Sequence, residues 1–399
     1  MKMFFKYLKV GLAATAALLL GGAACAAPAF HVGIVTGTLS QSEDEIRGAE
    51  YCLKKYGDVS NGGMIRHVTY PDNFMSEMET TISQIAGLAD DPLLKVIVIN
   101  QGIPGTTEGI RRVKQKRPDI ICLVGEAHED PNVITSAADM ATTIDFIDKG
   151  YLLAYTAKQM GADTFVHISF PRHMSYESIA RRVAIIKAAC QDLGLKFSYE
   201  TAPDPTSDVG VVGAQQFMIE KVPAWIKKYG EKTVFFTTNY SLHEPLLRQL
   251  ARYGGMYIEA DSPSPLVGYP AAFSIDLSKE AGNWPAILKK VEDAVIKAGG
   301  SGRMGTWAYS YGYANTLALV DFGINVVEKK MKLSSKKDFL TCFDRATPGS
   351  KWNGNYYTDL GTGVTSKNLM LIYQDTYIFG KGFMGVADIK VPEKYRKIK

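Results

Sequence analysis

The sequence predicts an α/β protein of two tandem units, each a parallel sheet flanked by helices. Three observations predict it. Short apolar runs alternate with segments whose apolar residues recur every three or four positions, the βαβα order that a parallel sheet needs. The apolar runs are continuous instead of alternating, so both faces of each strand are expected to be covered. After "ATTIDFIDKG", residues 141–150, the same order begins again.

In the first unit, "HVGIV" (31–35) leads to a helix over 43–56. "IRHVTY" (65–70) precedes a helix in which Phe74, Met78, Ile82 and Ile85 share one face. "KVIVIN" (95–100), a helix over 104–116 and "IICLVG" (120–125) complete it. In the second unit a helix over 148–160 leads to "TFVHISF" (164–170). Ile179, Val183, Ile186, Cys190 and Leu193 then trace an apolar helical stripe. Next come "KFSYET" (196–201), a helical region over 215–229 that Pro223 is expected to divide, and "TVFFTT" (233–238). A helix over 242–253, the strand-like "MYIEA" (256–260), "AAFSID" (271–276) and a helix carrying Ile287, Val291 and Val295 follow. A long helix is expected over 307–331, with Trp307, Ala314, Leu317, Ile324 and Val327 facing one way. "LMLIYQDTYIF" (369–379) reads as strand.

At 399 residues the chain has room for two ordinary domains. Its 46% hydrophobic and 22% charged residues are normal for a soluble globular protein. Lys2, Lys6 and Lys9 precede the apolar run "VGLAATAALLLGGAA" and small residues, which reads as a secretory signal peptide over 1–26. The run falls short of the ~20 residues of a spanning helix. The formal charge of +4, less those three lysines, becomes +1. That balance gives no electrostatic case for nucleic acid or an anionic membrane surface. "GAAC", ending at Cys25, resembles a lipoprotein signal, while Ala24-Cys25-Ala26 fits ordinary cleavage. The expected location is periplasmic or extracytoplasmic, soluble or lipid-anchored at Cys25. Cys52, Cys122, Cys190 and Cys342 have no CxxC or zinc spacing and read as buried thiols.

Catalytic signatures are missing. There is no G-x-S-x-G elbow, no H-E-x-x-H and no P-loop. His128-Glu129-Asp130 reads as a polar loop, because adjacent residues rarely converge on one ion. Gly300, Gly302 and Gly305 match G-x-G-x-x-G, but they follow a helix where a dinucleotide site needs a strand. In the segment 31–50, Ser42 and Glu45 form a capping-box pattern. Glu43, Asp44 and Glu45 then occupy the positive end of the helix dipole, which disfavours a phosphate there.

Particular segments resemble the type I periplasmic solute-binding proteins of ABC transporters, over about Ala29 to Lys332. "VGIVTGTLSQSEDEIRGAEYCLKKYG" is similar to that family's opening strand, pocket loop and helix. "TTIDFIDKGYLLAYTAKQMGA", with Asp145, Gly150 and Tyr151, is similar to its crossover. "TWAYSYGYANTLALVDFGINVVEKK" is similar to the helix returning to the first lobe. "FPRHMSYESIARR" further resembles an uncharacterised branch catalogued as a domain of unknown function. The resemblance implies two Rossmann-like lobes joined by a multi-strand hinge. Lobe one would hold 29–143 and 304–335; lobe two would hold 146–300, with 336–399 packing on lobe two and the hinge. It implies a monomer without cofactor or catalytic residues that traps a small polar or amphipathic ligand by hinge closure and delivers it to an ABC permease. A ligand-sensing subunit of a membrane receptor and an exported enzyme using Glu126, His128 or Asp261 are the alternatives.

In open α/β sheets ligands sit beyond the C-terminal ends of strands. That rule selects Thr36, Gly37, Thr38, Ser40 and Gln41, then Asn100, Gln101 and Gly102, then Glu126 and His128 in lobe one. In lobe two it selects Phe170, Arg172, His173, Asn239, Tyr240 and Asp261, while Trp307 and Tyr311 open the return helix. The hydroxyls of Thr36, Thr38 and Ser40 either meet a ligand or satisfy their own turn. Asn100 and Gln101 stand at an abrupt apolar-to-polar switch, suited to ligand hydrogen bonds. Arg172 would clamp a carboxylate or pair with an acid such as Glu126. Trp307 and Tyr311 would stack on a ring or fill the core.

Overall fold

The computed structural model describes residues 28–40 and 42–398. The expected signal peptide with Cys25, and the candidate Gln41, lie outside the described residues. The first sheet begins with β1 (His31–Thr36), β2 (Ile65–Thr69), β3 (Leu94–Gly102), β4 (Ile121–Ala127) and β5 (Met140–Ile144). All neighbours among these pair in parallel, in the order β5-β4-β3-β1-β2. Helices Glu43–Tyr56, Met78–Gly87 and Thr106–Lys116 connect them. Alternation along β3 sends Val96 and Val98 into one core and Ile97 and Ile99 into another, so both faces are buried, as continuous apolar runs require.

Helix Phe146–Gln159 carries the chain into the second sheet. There β6 (Thr164–Ser169), β7 (Lys196–Thr201) and β8 (Thr233–Thr237) pair in parallel in the order β7-β6-β8. "MYIEA" contributes only single bridges, Met256 to Val234 and Tyr257 to Met304. "AAFSID" overlaps a short helix, Tyr269–Phe273. Pro223 does not divide its helix, which runs unbroken over Gly210–Tyr229. Pro223 offers no N–H to the Ile219 carbonyl one turn back, but Ile219 is exposed, so water can meet it.

The chain then forms β9 (Gly305–Trp307), the return helix Tyr311–Val327 and helix Lys336–Ala346. Trp307 therefore lies in a strand, not in the long helix expected over 307–331. The helix starts later because Ser310 caps it, its Oγ accepting from Tyr313 N at 3.3 Å. Glycine lets this helix approach the first sheet. A Cβ on Gly125 would stand 1.6 Å from Asn315 Nδ2.

The last strands correct the expectation for 336–399. β10 (Trp352–Thr358) and β11 (Thr365–Gln374) join the first sheet, β11 parallel to β5 and β10 antiparallel at the edge. The open edge of β5 needs a partner, and Met370 and Ile372 of β11 are fully buried. β12 (Thr376–Ile378) pairs with β9 and with β13 (Gly382–Phe383). The end of the chain does reach the second lobe. Arg181 Nε donates to Ile398 O (2.8 Å), and Arg396 grips the buried Asp148 with Nε–Oδ1 at 2.9 Å and Nη2–Oδ2 at 2.8 Å.

Three segments cross between the sheets, near Asp145, Tyr309 and Asp375. Two contacts bind them together. Asp145 N donates to Ile372 O (2.8 Å). Gln374 mimics a backbone pair with Tyr309, donating Nε2 to its carbonyl and accepting its N–H, both at 3.1 Å. Cys52, Cys122, Cys190 and Cys342 are buried free thiols. No helix among the described residues is long and apolar enough to cross a membrane.

Candidate functional site

A cavity of about 710 Å³ opens between the two sheets, beyond the C-terminal ends of β3, β4 and β8. Its first-sheet wall starts with helix Glu43–Tyr56, whose N-terminus faces the cavity and presents Ser42, Glu43, Asp44 and Glu45. Ser42 makes no capping bond. Its hydroxyl instead meets the Tyr70 hydroxyl at 3.3 Å, which in turn donates to Gln101 Oε1 at 3.1 Å. Gln101 Nε2 completes the chain by donating to Glu45 Oε1 at 3.3 Å. The expected capping box is thus replaced by a hydrogen-bonded string across the cavity wall.

Gln101 (φ 53°) and Glu126 (φ 48°) hold left-handed backbone near the ends of β3 and β4. Such a conformation costs about 1–3 kcal/mol in a residue with a side chain. Both side chains line the cavity. Tyr311 adds its ring from the return helix and donates its hydroxyl to Thr142 Oγ1 at 3.3 Å. Gly312 gives Glu45 its room, since a Cβ there would fall 2.4 Å from Glu45 Oε1.

These carboxyls crowd one another. Burial pushes Asp44 up to about 6; a bond with Ser310 opposes this, and the charges of Glu43 and Glu126 add to it. Burial, followed by the charges of Glu126 and Asp44, holds Glu45 well above the usual carboxylate range.

The second-sheet wall is polar but less charged. His173 Nδ1 lies 3.0 Å from Thr238 Oγ1. Asn239 caps helix Tyr240–Tyr253, its Oδ1 accepting from Ser241 N at 3.0 Å. His243 is buried against Tyr257 (Nδ1 to hydroxyl, 2.8 Å), and burial lowers it to about 4, so it is neutral at pH 7. Asp261 is met from behind by the fully buried Arg182, Nη1 to Oδ1 at 2.5 Å. The Arg182 guanidinium lies over the rings of Phe146 and Phe236, at 5.0 and 5.2 Å. Lys149 pairs with Glu259 at 3.0 Å. Arg182 and Lys149 thus lie behind this wall, each beside an acid of the same lobe, and the buried Arg182 nitrogens make no hydrogen bond among the described residues. Leu266 and Val267 add apolar surface.

Residues 30–305 match the family model described as "Protein of unknown function (DUF3798)". The chain belongs to the DUF3798 family. Two uncharacterized proteins of Treponema pallidum (strain Nichols) are similar to it. One is 41% identical over 178 residues, covering 44% of this chain and 80% of the relative. The other is 37% identical over 217 residues, covering 54% and 98%. Among solved structures, a candidate transcriptional regulator from Clostridium difficile 630 superposes with a TM-score of 0.80 at 24% identity, covering 88% of this chain and 99% of its own. A sugar ABC transporter protein from Actinomyces odontolyticus ATCC 17982 gives 0.52 at 7% identity, covering 91% and 98%. These likenesses show the fold of this DUF3798 member: two α/β lobes of the type I periplasmic-binding-protein class.

Of the residues selected from the sequence, Ser40, Gln101, Glu126, His173, Asn239, Tyr240, Asp261 and Tyr311 line the cavity of this DUF3798 protein. The others are placed elsewhere. Asn100 is fully buried, donating to Thr316 Oγ1 (2.7 Å) and accepting from Asn315 Nδ2 (2.9 Å), so it anchors the return helix. Thr36 is buried against His67 Nε2 at 2.9 Å. Gly37 is packed under Ser42 and Tyr70, and Gly102 against Val124. Thr38 bonds Asp72 and Ser40 at the rim. His128 sits outside the cavity wall, 3.8 Å from Glu126. Phe170 and Trp307 are core rings. Arg172 neither faces the cavity nor meets Glu126, because Asp204 holds it bidentately at 2.6 and 2.9 Å.

Sequence reasoning missed Ser42, Glu43, Asp44 and Glu45 as wall residues, having assigned them to the helix. Three acids in one first turn were the available signal. It missed Ser310 and His243 as well, and for these the sequence carried none.

Proposed function

We propose that this chain is an exported solute-binding protein whose interlobe cleft captures a small ligand and presents it to an ABC permease. One observation carries the reading: a cavity of about 710 Å³ at the C-terminal strand ends, walled by polar side chains from both lobes. Lobe one comprises 29–143 and 304–335 together with strands β10 and β11, and lobe two 146–300, and the ligand contacts are Gln101, Glu126, Tyr311, His173, Asn239 and Asp261 with the acids of residues 43–45. Strain held at Gln101 and Glu126 supports the same reading, since two of the four described non-glycine residues with positive φ face one cavity. The hinge near Asp145, Tyr309 and Asp375 supplies the closure.

Native mass spectrometry of protein purified from its source, together with a thermal-shift panel of small metabolites, tests it. A ligand at 100 times its Kd is expected to stabilise the protein by about 2.7 kcal/mol. No shift with any compound class, together with no co-purifying molecule, would refute it. Loss of uptake in a deletion strain is expected for transport; loss of a response with uptake intact would assign the protein to sensing.

A further inference from the structure

A second cavity, of about 690 Å³, lies apart from the cleft and shares no lining residue with it. Lobe one supplies most of its wall: the C-terminal half of helix Glu43–Tyr56, the return helix and helix Lys336–Ala346. Lobe two closes one side with residues 282–285, where Asn283 caps helix Trp284–Lys297. An occupant would therefore touch both lobes. A hollow of about 240 Å³ adjoins this cavity and shares Trp284, Pro285, Tyr309 and Pro348 with it.

Five aromatic side chains line it, those of Tyr51, Tyr56, Trp284, Tyr309 and Tyr313. Four of the rings run in series, with centres 6.4 Å apart from Tyr51 to Tyr313, 5.5 Å from Tyr313 to Trp284 and 6.5 Å from Trp284 to Tyr309. They border a space within the size range of small-molecule sites, where an aromatic body can pack on them. Trp284 is 2% exposed, and its indole N–H meets no acceptor among the described residues. A buried indole N–H ordinarily finds a partner, so this one calls for an acceptor brought from outside. The charges set the sign of the occupant. The one lining acid, Asp321, has Oδ2 2.5 Å from Arg345 Nη2 and accepts from Asn325 Nδ2 at Oδ1 (3.0 Å). Lys55 Nζ lies over the Tyr56 ring at 4.8 Å and pairs with no carboxylate among the described residues. The wall thus carries one cation in excess. An aromatic amine would add like charge to it, and a bare inorganic anion would leave the rings uncovered.

We infer that this cavity is a second ligand site that takes a small aromatic acid, its ring held by Tyr51, Tyr313 and Trp284 and its polar atoms answering Lys55 and the Trp284 N–H. The site goes beyond the cleft and does not depend on what the cleft binds.

Calorimetry on the full mature chain tests this with benzoate, phenylacetate and indole-3-acetate against benzylamine, tryptamine and acetate. At least one aromatic acid is expected to bind. Its affinity is expected to fall at least tenfold in Trp284→Phe, which keeps a ring and removes the N–H, and about threefold in Lys55→Met, which keeps the chain and removes the charge. Lys55 is exposed, so its variant keeps the test decisive if Trp284→Phe does not fold. An affinity unchanged in Lys55→Met overturns the proposal, whatever Trp284→Phe does. Aromatic amines that bind in place of the acids, and weaken in Trp284→Phe, overturn the sign assigned to the ligand. Acetate binding as tightly as the aromatic acids overturns the part given to the rings. No binding by any of the three aromatic acids overturns the site itself and leaves the cleft reading standing.

Discussion

Asn100→Ala distinguishes an anchor of the return helix from a ligand contact. Asn100 is fully buried, and both ends of its amide are used: Nδ2 donates to Thr316 Oγ1 at 2.7 Å and Oδ1 accepts from Asn315 Nδ2 at 2.9 Å. Truncation removes both bonds. Asn315 projects from the return helix against Gly125, where a glycine was needed to admit it, so its freed amide is buried without an acceptor. A buried donor left unmet costs about 1–3 kcal/mol, and losing the Thr316 contact adds about 1 kcal/mol. The sum is about 2–4 kcal/mol. Chemical denaturation monitored by tryptophan fluorescence and a thermal melt measure it; a midpoint lower by about 5 °C or more is expected. Calorimetry on the folded variant is expected to give a ligand affinity within about threefold of the original, because Asn100 does not line the cavity. Unchanged stability with a tenfold loss of affinity would refute the anchoring argument and restore Asn100 as a binding residue.

Ser42→Ala is expected to change stability by only a few tenths of a kcal/mol, well below the ~1 kcal/mol of a lost cap, because its hydroxyl makes no capping bond. Its effect should appear instead as altered ligand affinity, through the string to Tyr70 and Gln101; a denaturation curve and a calorimetric titration separate the two. Burial raises the folded-state pKa of Asp44 from 3.8 to about 6, the Ser310 hydroxyl opposing the rise and the charges of Glu43 and Glu126 adding to it. The stability it contributes is therefore fully present below pH 3.8 and lost as pH rises through about 6, so unfolding curves of the empty protein between pH 3.5 and 7 should flatten in Asp44→Asn. Arg396→Ala leaves Asp148 buried with only Asn355 at 2.6 Å as a side-chain partner, and is expected to cost about 3 kcal/mol in a melt.

Strand and helix order was legible along most of the chain because continuous apolar runs and helical stripes have different periods. "KVIVIN" became the centre of β3, and residues 43–56 became a helix at the expected bounds. Residues 336–399 were not legible in the same way. Nothing local in "LMLIY" states which of two sheets has an open edge, and that edge belongs to β5, more than 200 residues earlier in the chain. The cleft was half legible. Strand ends gave Gln101, Glu126 and Asp261, since position relative to a sheet is a matter of topology. Side-chain direction within a loop was not available, so Asn100 and Gln101 looked equivalent although one points to the helix and the other to the cavity. The acids of residues 43–45 satisfied a local rule of helix ends, which hid their place on a wall built from distant segments.

The pairing of β11 with β5 also sets an order of events. The three strands of the second sheet lie within residues 164–237 and can pair as soon as that stretch exists. The first sheet cannot close until residues 365–374 arrive, at the far end of the chain from its opening strand. A chain that appears N-terminus first therefore begins its first lobe early and finishes it last, waiting with the β5 edge bare while the second lobe forms. Contacts of such sequence separation are slow to close and expose unpaired edges in the meantime. Removing residues from 352 onward should consequently strand the first lobe as an incomplete, association-prone intermediate, although the opening loop, the acid wall and the hinge helix would all still be encoded.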